Sequence, residues 1–345
     1  EGRPQSVDKM NLFHEQVMKQ FSRESEGHEG HDMKAQQVGA FSAMSGPGHQ
    51  LDMFNSMMQQ GVLLGASNAA EESVTSGGRC RSNAPMKEFD MTAINVEITL
   101  NRWMDYYPGY MYVLTENLEA VRAEEETNRL AREKEYDGGA ATVGSQGDMI
   151  TPLVIRANPG DCVMITLRNQ TTDEEPIGLH IHGSSVLIKK TGKPATATNP
   201  DTSVLPGKVQ VYEWYIPSDM QEGGLTFHSH GHRLQTGLGM MGTFVIEPAG
   251  AKYLDPYTGG PLKSGWQAMI VDSDNQADFR EHVIIYHEVG DEAFRPLSKN
   301  GEMLPQRDPV SDAYRPGARA LNYRSEPFGT NNLANQHARF GFEDE

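Results

Sequence analysis

The chain has 345 residues, and 30 Lys plus Arg against 47 Asp plus Glu leave it a net charge of −17. Sequence-independent nucleic-acid binding needs a basic surface, so the charge argues against it, and against an anionic membrane surface, while favouring the accumulation of cations. Only 37% of residues are hydrophobic, mean hydropathy is −0.57 and there is no run of 18 apolar residues, so nothing reads as a membrane-spanning helix.

Residues 1–85 read as an N-terminal extension. The opening Glu1-Gly2-Arg3-Pro4-Gln5 has neither an initiating Met nor an apolar stretch, as in a mature or trimmed product. Val7, Met10, Phe13, Val17 and Phe21 recur near helical spacing after Ser6, an N-cap candidate, and a second short helix is expected over Leu51–Gln60. The segment holds seven Met and four His. Thioether and imidazole suit copper, so His28, His31 and Met33 are the residues for a secondary site. The favoured alternative is an amphipathic helix with Met filling gaps and exposed histidines.

The character changes over 86–250, which reads as one domain of many short strands. Ile94, Val96, Ile98 and Leu100 alternate with polar residues, predicting a half-buried strand, and Tyr110–Leu114 predicts another. Asn117–Tyr136 is a highly charged helix, taken as a solvent-facing insertion. Leu153–Ile155 comes next, then the turn Asn158-Pro159-Gly160-Asp161 and a strand through Val163, Ile165 and Leu167. Leu179–Gly183, Val209–Ile216, Leu225–His230 and Thr243–Glu247 complete the set. Short strands with Gly/Pro turns indicate a β-sandwich. Residues 251–345 read as a linker (Asp255–Pro261) and the start of a further β unit at Arg280–Glu288, with too few apolar runs to finish it. The two cysteines, Cys80 and Cys162, are either a disulfide, which would imply an oxidising compartment, or two separate thiols.

Five of the twelve histidines fall in two groups, Leu179-His180-Ile181-His182-Gly183 and Phe227-His228-Ser229-His230-Gly231-His232. In a strand, residues i and i+2 share a face, so each pair projects together, and neighbouring strands would bring four imidazoles into one patch. Each ring has a donor and an acceptor to satisfy, and metal coordination satisfies one nitrogen directly. One HxH motif is weak evidence; two in one sandwich point strongly to a metal. His232 is expected at the rim of the patch and Met240 in the core.

These residues resemble the multicopper oxidase family. Val154–Asp161 and the strand after it resemble the lead-in to its first copper-binding loop; Leu179–Gly183 is similar to its first HxHG motif; His228-Ser229-His230 with Gly237–Ile246 is similar to its second motif and closing strand. The resemblance covers about 87–250, and Leu321–Phe328 resembles the start of a second cupredoxin domain in large bacterial, manganese-oxidase-like members. It implies an all-β, cupredoxin-like Greek-key sandwich with a partly helical N-terminal extension and an incomplete second cupredoxin domain. It further implies copper: His180 on the type 2 ion, and His182, His228 and His230 on the type 3 pair, half of the trinuclear cluster that reduces dioxygen to water. Asp201 is the candidate acid for proton delivery. The family's type 1 site uses a Cys between histidines, and no such motif occurs here; Ser229 stands between His228 and His230.

The expected function is thus the N-terminal part of an extracytoplasmic oxidase, completed by other cupredoxin domains. Its electron donor would be a metal ion such as Mn(II) or Fe(II), or a phenol. The alternative is a non-catalytic copper-binding or carrier module. Copper nitrite reductase would need a type 1 cysteine in this domain. A zinc hydrolase would need a general-base carboxylate beside the histidines, and none is evident.

Overall fold

A computed structural model describes residues 78–325 except 134–141, 143, 146, 197–198, 232, 273, 275, 290–294, 308–311 and 313. The helices expected in the N-terminal extension, the His28/His31/Met33 site, His232 and the end of the Leu321–Phe328 motif lie outside the described residues. In chain order the elements begin with β1 (Met86–Thr99), β2 (Tyr106–Leu114), α1 (Leu118–Glu133), β3 (Leu153–Ala157) and β4 (Cys162–Asn169). Next come β5 (His180–Ile181), β6 (Leu187–Ile188), β7 (Val209–Tyr215), β8 (Gly223–His228), α2 (Arg233–Gly237) and β9 (Met241–Ile246). The last are β10 (Lys252–Leu254), β11 (Gln267–Val271), β12 (Ala277–His282), β13 (Tyr286–Glu288), β14 (Arg319–Leu321) and β15 (Arg324–Ser325).

Two sheets form a cupredoxin-like sandwich. One has the order β2-β1-β4-β7-β6 and the other β3-β9-β8-β5, so the chain crosses between sheets several times. The β1–β4 and β3–β9 pairs are parallel; the other pairs in these sheets are antiparallel. Aromatic residues from the two inner faces meet in the core: Phe89 of β1 and Trp214 of β7 lie 6.5 and 5.3 Å from Phe244 of β9, ring centre to ring centre. Burying side chains of this size stabilises by about 2–3 kcal/mol each. Met240 is buried, as expected.

Between β3 and β4 the expected turn forms. Asn158 N–H donates to the Asp161 carboxylate at 2.9 Å, and Gly160 takes a φ of 90° that a side chain would resist. The cysteine alternatives resolve to a disulfide between Cys80 and Cys162, with 5.3 Å between Cα atoms. It ties the segment before β1 to the first residue of β4.

Two expectations require correction. The helix over 118–133 is not simply solvent-facing. Its Val121, Glu124, Asn128 and Arg132 are buried, and it covers the outer face of β1. Glu97 N–H of β1 donates to Glu125, Arg132 pairs with Glu97, and Glu124 accepts from Met149 N–H at 2.5 Å. Consequently β1 is buried on both faces beyond Met91, although its sequence alternates. The run Arg280–Glu288 is likewise not one strand. Val283 N–H continues the β11–β12 ladder to Trp266 O (2.7 Å), whereas Ile285 N–H turns to the Asn322 side chain (2.8 Å). The apolar run is thus divided between two three-stranded sheets, β10-β11-β12 and β13-β14-β15. Among the described residues, no helix is long and apolar enough to cross a membrane.

Candidate metal centre

β5 is only two residues long, but its register decides the site. His180 stands opposite His228 and Ile181 opposite Phe227 in an antiparallel pair. Ile181 and Phe227 face the core, at 2% and 0% exposure, which turns the two histidines the other way. His182 and His230 lie just past the strand ends, so strand alternation alone does not carry all four rings to one place. His182 N–H extends the ladder by one bond, to Thr226 O at 2.9 Å. His230 is carried by the loop between β8 and α2.

The four rings nonetheless converge. His180 Nδ1 is 3.0 Å from His230 Nε2, and His182 Nε2 is 2.8 Å from His228 Nε2. Donor nitrogens of His180, His182 and His228 all lie within 4.8 Å of one another, a spacing at which they could share a metal ion. These three are half-buried and His230 is exposed, so the patch opens to the surface.

Burial and the neighbouring rings hold the imidazoles neutral. Burial first, then His182 and His230, lowers the pKa of His180 to about 4; burial and His230 lead in lowering that of His228 to about 3. His182 and His230 are also shifted down, by partial desolvation of their rings and, for His230, then by His182. A neutral imidazole is the ligating form. His228 Nδ1 is held at 3.2 Å from Ser229 O and 3.3 Å from Thr236 Oγ1. Thr236 itself donates to Ser229 O, so the consistent assignment puts the proton on Nδ1 and leaves Nε2 bare toward the other rings.

Residues 131–251 match the family model described as multicopper oxidase. The chain carries a multicopper oxidase domain. A comparison with curated proteins found no match. Among solved structures, the chain is similar to a multicopper oxidase from Pseudomonas thermotolerans, with 18% identity, a TM-score of 0.37, and coverage of 71% of this chain and 43% of that one. It is similar to a Campylobacter jejuni multicopper oxidase described as a metallo-oxidase, with 19% identity, a TM-score of 0.29 and coverage of 53% and 28%. It is also similar to a Botrytis aclada laccase, with 16% identity, a TM-score of 0.31 and coverage of 48% and 23%. The chain therefore spans less than half the length of each of these three.

The donor set of this multicopper oxidase domain fits copper. It offers neutral imidazole nitrogens on an open face, that of His228 oriented by a second hydrogen bond. It offers no thiolate: Cys162 is in the disulfide with Cys80, and the residue between His228 and His230 is Ser229. Asp201 sits in a short 3-10 turn, Pro200–Thr202, where its carboxylate pairs with Lys193 Nζ at 2.5 Å and is partly exposed.

Several residues around the site carry little or no sign in the sequence. Ser229, marked there only by not being Cys, is 2% exposed and hydrogen-bonded on all sides; Gln235 and Tyr112 are also buried beside it. Tyr112 Oη donates to Gly178 O at 2.5 Å, two residues before His180. The only sequence signal for Ser229 is its place between two histidines, and Gln235 and Tyr112 have none.

Proposed function

We propose that this multicopper oxidase domain contributes His180, His182, His228 and His230 as half of a trinuclear copper cluster. In this reading His180 serves the type 2 ion and the other three the type 3 pair. The carrying observation is the convergence of the four rings, paired at 3.0 and 2.8 Å, within the matched domain. Copper held there supplies one-electron redox chemistry, and the overall reaction consumes four electrons and four protons to convert one dioxygen into two waters. The residues fix ligand geometry and leave an open face toward the other half. That half, and the type 1 copper, come from cupredoxin domains beyond this sequence, on the same or another polypeptide. The electrons come from a metal ion such as Mn(II) or Fe(II), or a phenol; a charge of −17 favours cation accumulation and hence a metal-ion donor. Asp201 is proposed to deliver protons. The disulfide is consistent with a periplasmic, surface or secreted location.

The exposed His230 and the open patch also favour a second reading, a carrier module that binds copper reversibly. Copper analysis and oxygen uptake on the native assembly separate the two. Copper with donor-dependent oxygen consumption is expected. Absence of copper, or copper without oxygen uptake, overturns the oxidase reading. In the same assay Asp201→Asn should slow oxygen reduction, and an unchanged rate removes Asp201 from the proton path.

A further inference from the structure

We infer that Ser229 and Gln235 are a positioning pair that presets the contact between His180 and His230. This rests on the copper-cluster reading above and assigns a task to two residues that touch no substrate. A hydroxyl has one donor and two acceptor lone pairs, and those of Ser229 are all engaged. Its Oγ donates to Gln235 Oε1 at 2.6 Å and accepts from Gly178 N–H at 3.0 Å and Gly231 N–H at 3.1 Å. Gln235 Nε2 then donates to Pro176 O at 2.9 Å.

The segment leading to His180 is thus fastened at two points, Gly178 and Pro176, to the stretch carrying His230, through two side chains 2% and 1% exposed. The two loops lie so close that a Cβ on Gly231 would fall 1.8 Å from Pro176 O. The β5–β8 ladder cannot do this work, because β8 ends at His228 and leaves His230 in the loop. Partners hydrogen-bonded directly to metal ligands typically change metal affinity by about 10- to 100-fold when removed, which sets the scale for groups that brace the ligand-bearing segments.

The test uses the full 345-residue chain as wild type, Ser229→Ala, Gln235→Ala and Thr92→Ala. Thr92 controls for general destabilisation, being a buried hydroxyl in β1 bonded to Thr115. Metal-free amide exchange reports the bonds to Gly178 and Gly231, and chelator competition with Cu(II) reports affinity. The electron paramagnetic resonance spectrum of bound Cu(II) reports ligand geometry. Ser229→Ala should lose protection at both amides, bind Cu(II) about 10- to 100-fold more weakly and alter the spectrum. Gln235→Ala should do the same to a smaller degree, and Thr92→Ala should do none of these. Unchanged amide protection, affinity within about threefold of wild type in Ser229→Ala, or equal weakening in Thr92→Ala overturns the inference. A wild-type chain that fails to bind Cu(II) overturns the cluster reading instead, and the metal-free exchange still decides whether the Ser229 bonds hold the loops together.

Discussion

His287 is the same residue type as the four site histidines and behaves oppositely. It is 4% exposed; its Nδ1 donates to Glu288 O at 2.9 Å and its Nε2 accepts from Tyr323 N–H at 3.1 Å. The ring is a neutral bracket between β13 and the turn joining β14 to β15, with no nitrogen left for a metal. Burial lowers its pKa to about 4 despite the Glu288 bond. The unfolded chain takes up this proton near pH 6.5 and the folded chain only near 4. Its contribution is therefore complete above about pH 6.5 and falls as pH drops toward 4, by about 1.4 kcal/mol per unit and about 3 kcal/mol in all. Denaturant titrations between pH 7 and 4 should show this slope reduced in His287→Gln, whose amide can still accept from Tyr323; equal slopes would refute the account. His287 lies outside both HxH motifs, but the sequence around it does not say what its ring does instead. What occupies its second nitrogen is Tyr323 N–H, from a residue 36 positions along the chain.

The elements divide by how local their causes are. The strands of 153–169, 209–215 and 241–246 are legible because alternation and turn residues act over a few positions. The buried face of α1 is not, because Glu124 and Arg132 find partners in β1 and in the 142–150 loop, and a charged sequence gives no sign of that. The segment before β1 is also held non-locally, by the Cys80–Cys162 bond closing a separation of 82 residues. Constraining the unfolded chain over such a loop stabilises by roughly 4–5 kcal/mol in the chain-entropy treatment. Cys80→Ala/Cys162→Ala should lower unfolding stability by a sizeable part of that, read by denaturant midpoint. A midpoint equal to wild type would mean the segment is held by packing alone.

Across the whole molecule, one buried ion triad joins the sandwich to the β10-β11-β12 sheet. Arg156 of β3 pairs with Glu247, just after β9, at 2.5 Å, and with Glu281 of β12; Arg156 and Glu247 are fully buried. Arg156 Nη2 also donates to Gly265 O at 3.1 Å. Burial, reinforced by Glu281, raises the Glu247 carboxyl to about 7 even though Arg156 pulls the other way. Removing the cation strands a buried carboxylate, so Arg156→Met should cost about 3–5 kcal/mol, whereas replacing the triad together with apolar residues should cost less. A double-mutant cycle with Glu247→Leu measures this; a single Arg156→Met loss no larger than that of the combined change would refute it. Further along, Tyr323 Oη donates to Gly239 O and Arg324 reaches Thr99 O at 2.6 Å, so residues after β13 lean on the sandwich.

Composition, the two HxH motifs and the local strand and turn patterns were enough to expect a β-sandwich and to nominate His180, His182, His228 and His230. They suffice because side-chain alternation, turn chemistry and donor type are properties of a few neighbouring residues. Folding in three dimensions supplied the rest: the two-residue register of β5, the turn of His230 back toward His180, the Ser229–Gln235 bonds, the disulfide partner and the covered face of β1. Each depends on pairing between residues tens of positions apart, whose free energy is set by burial and by which polar groups are left to satisfy one another.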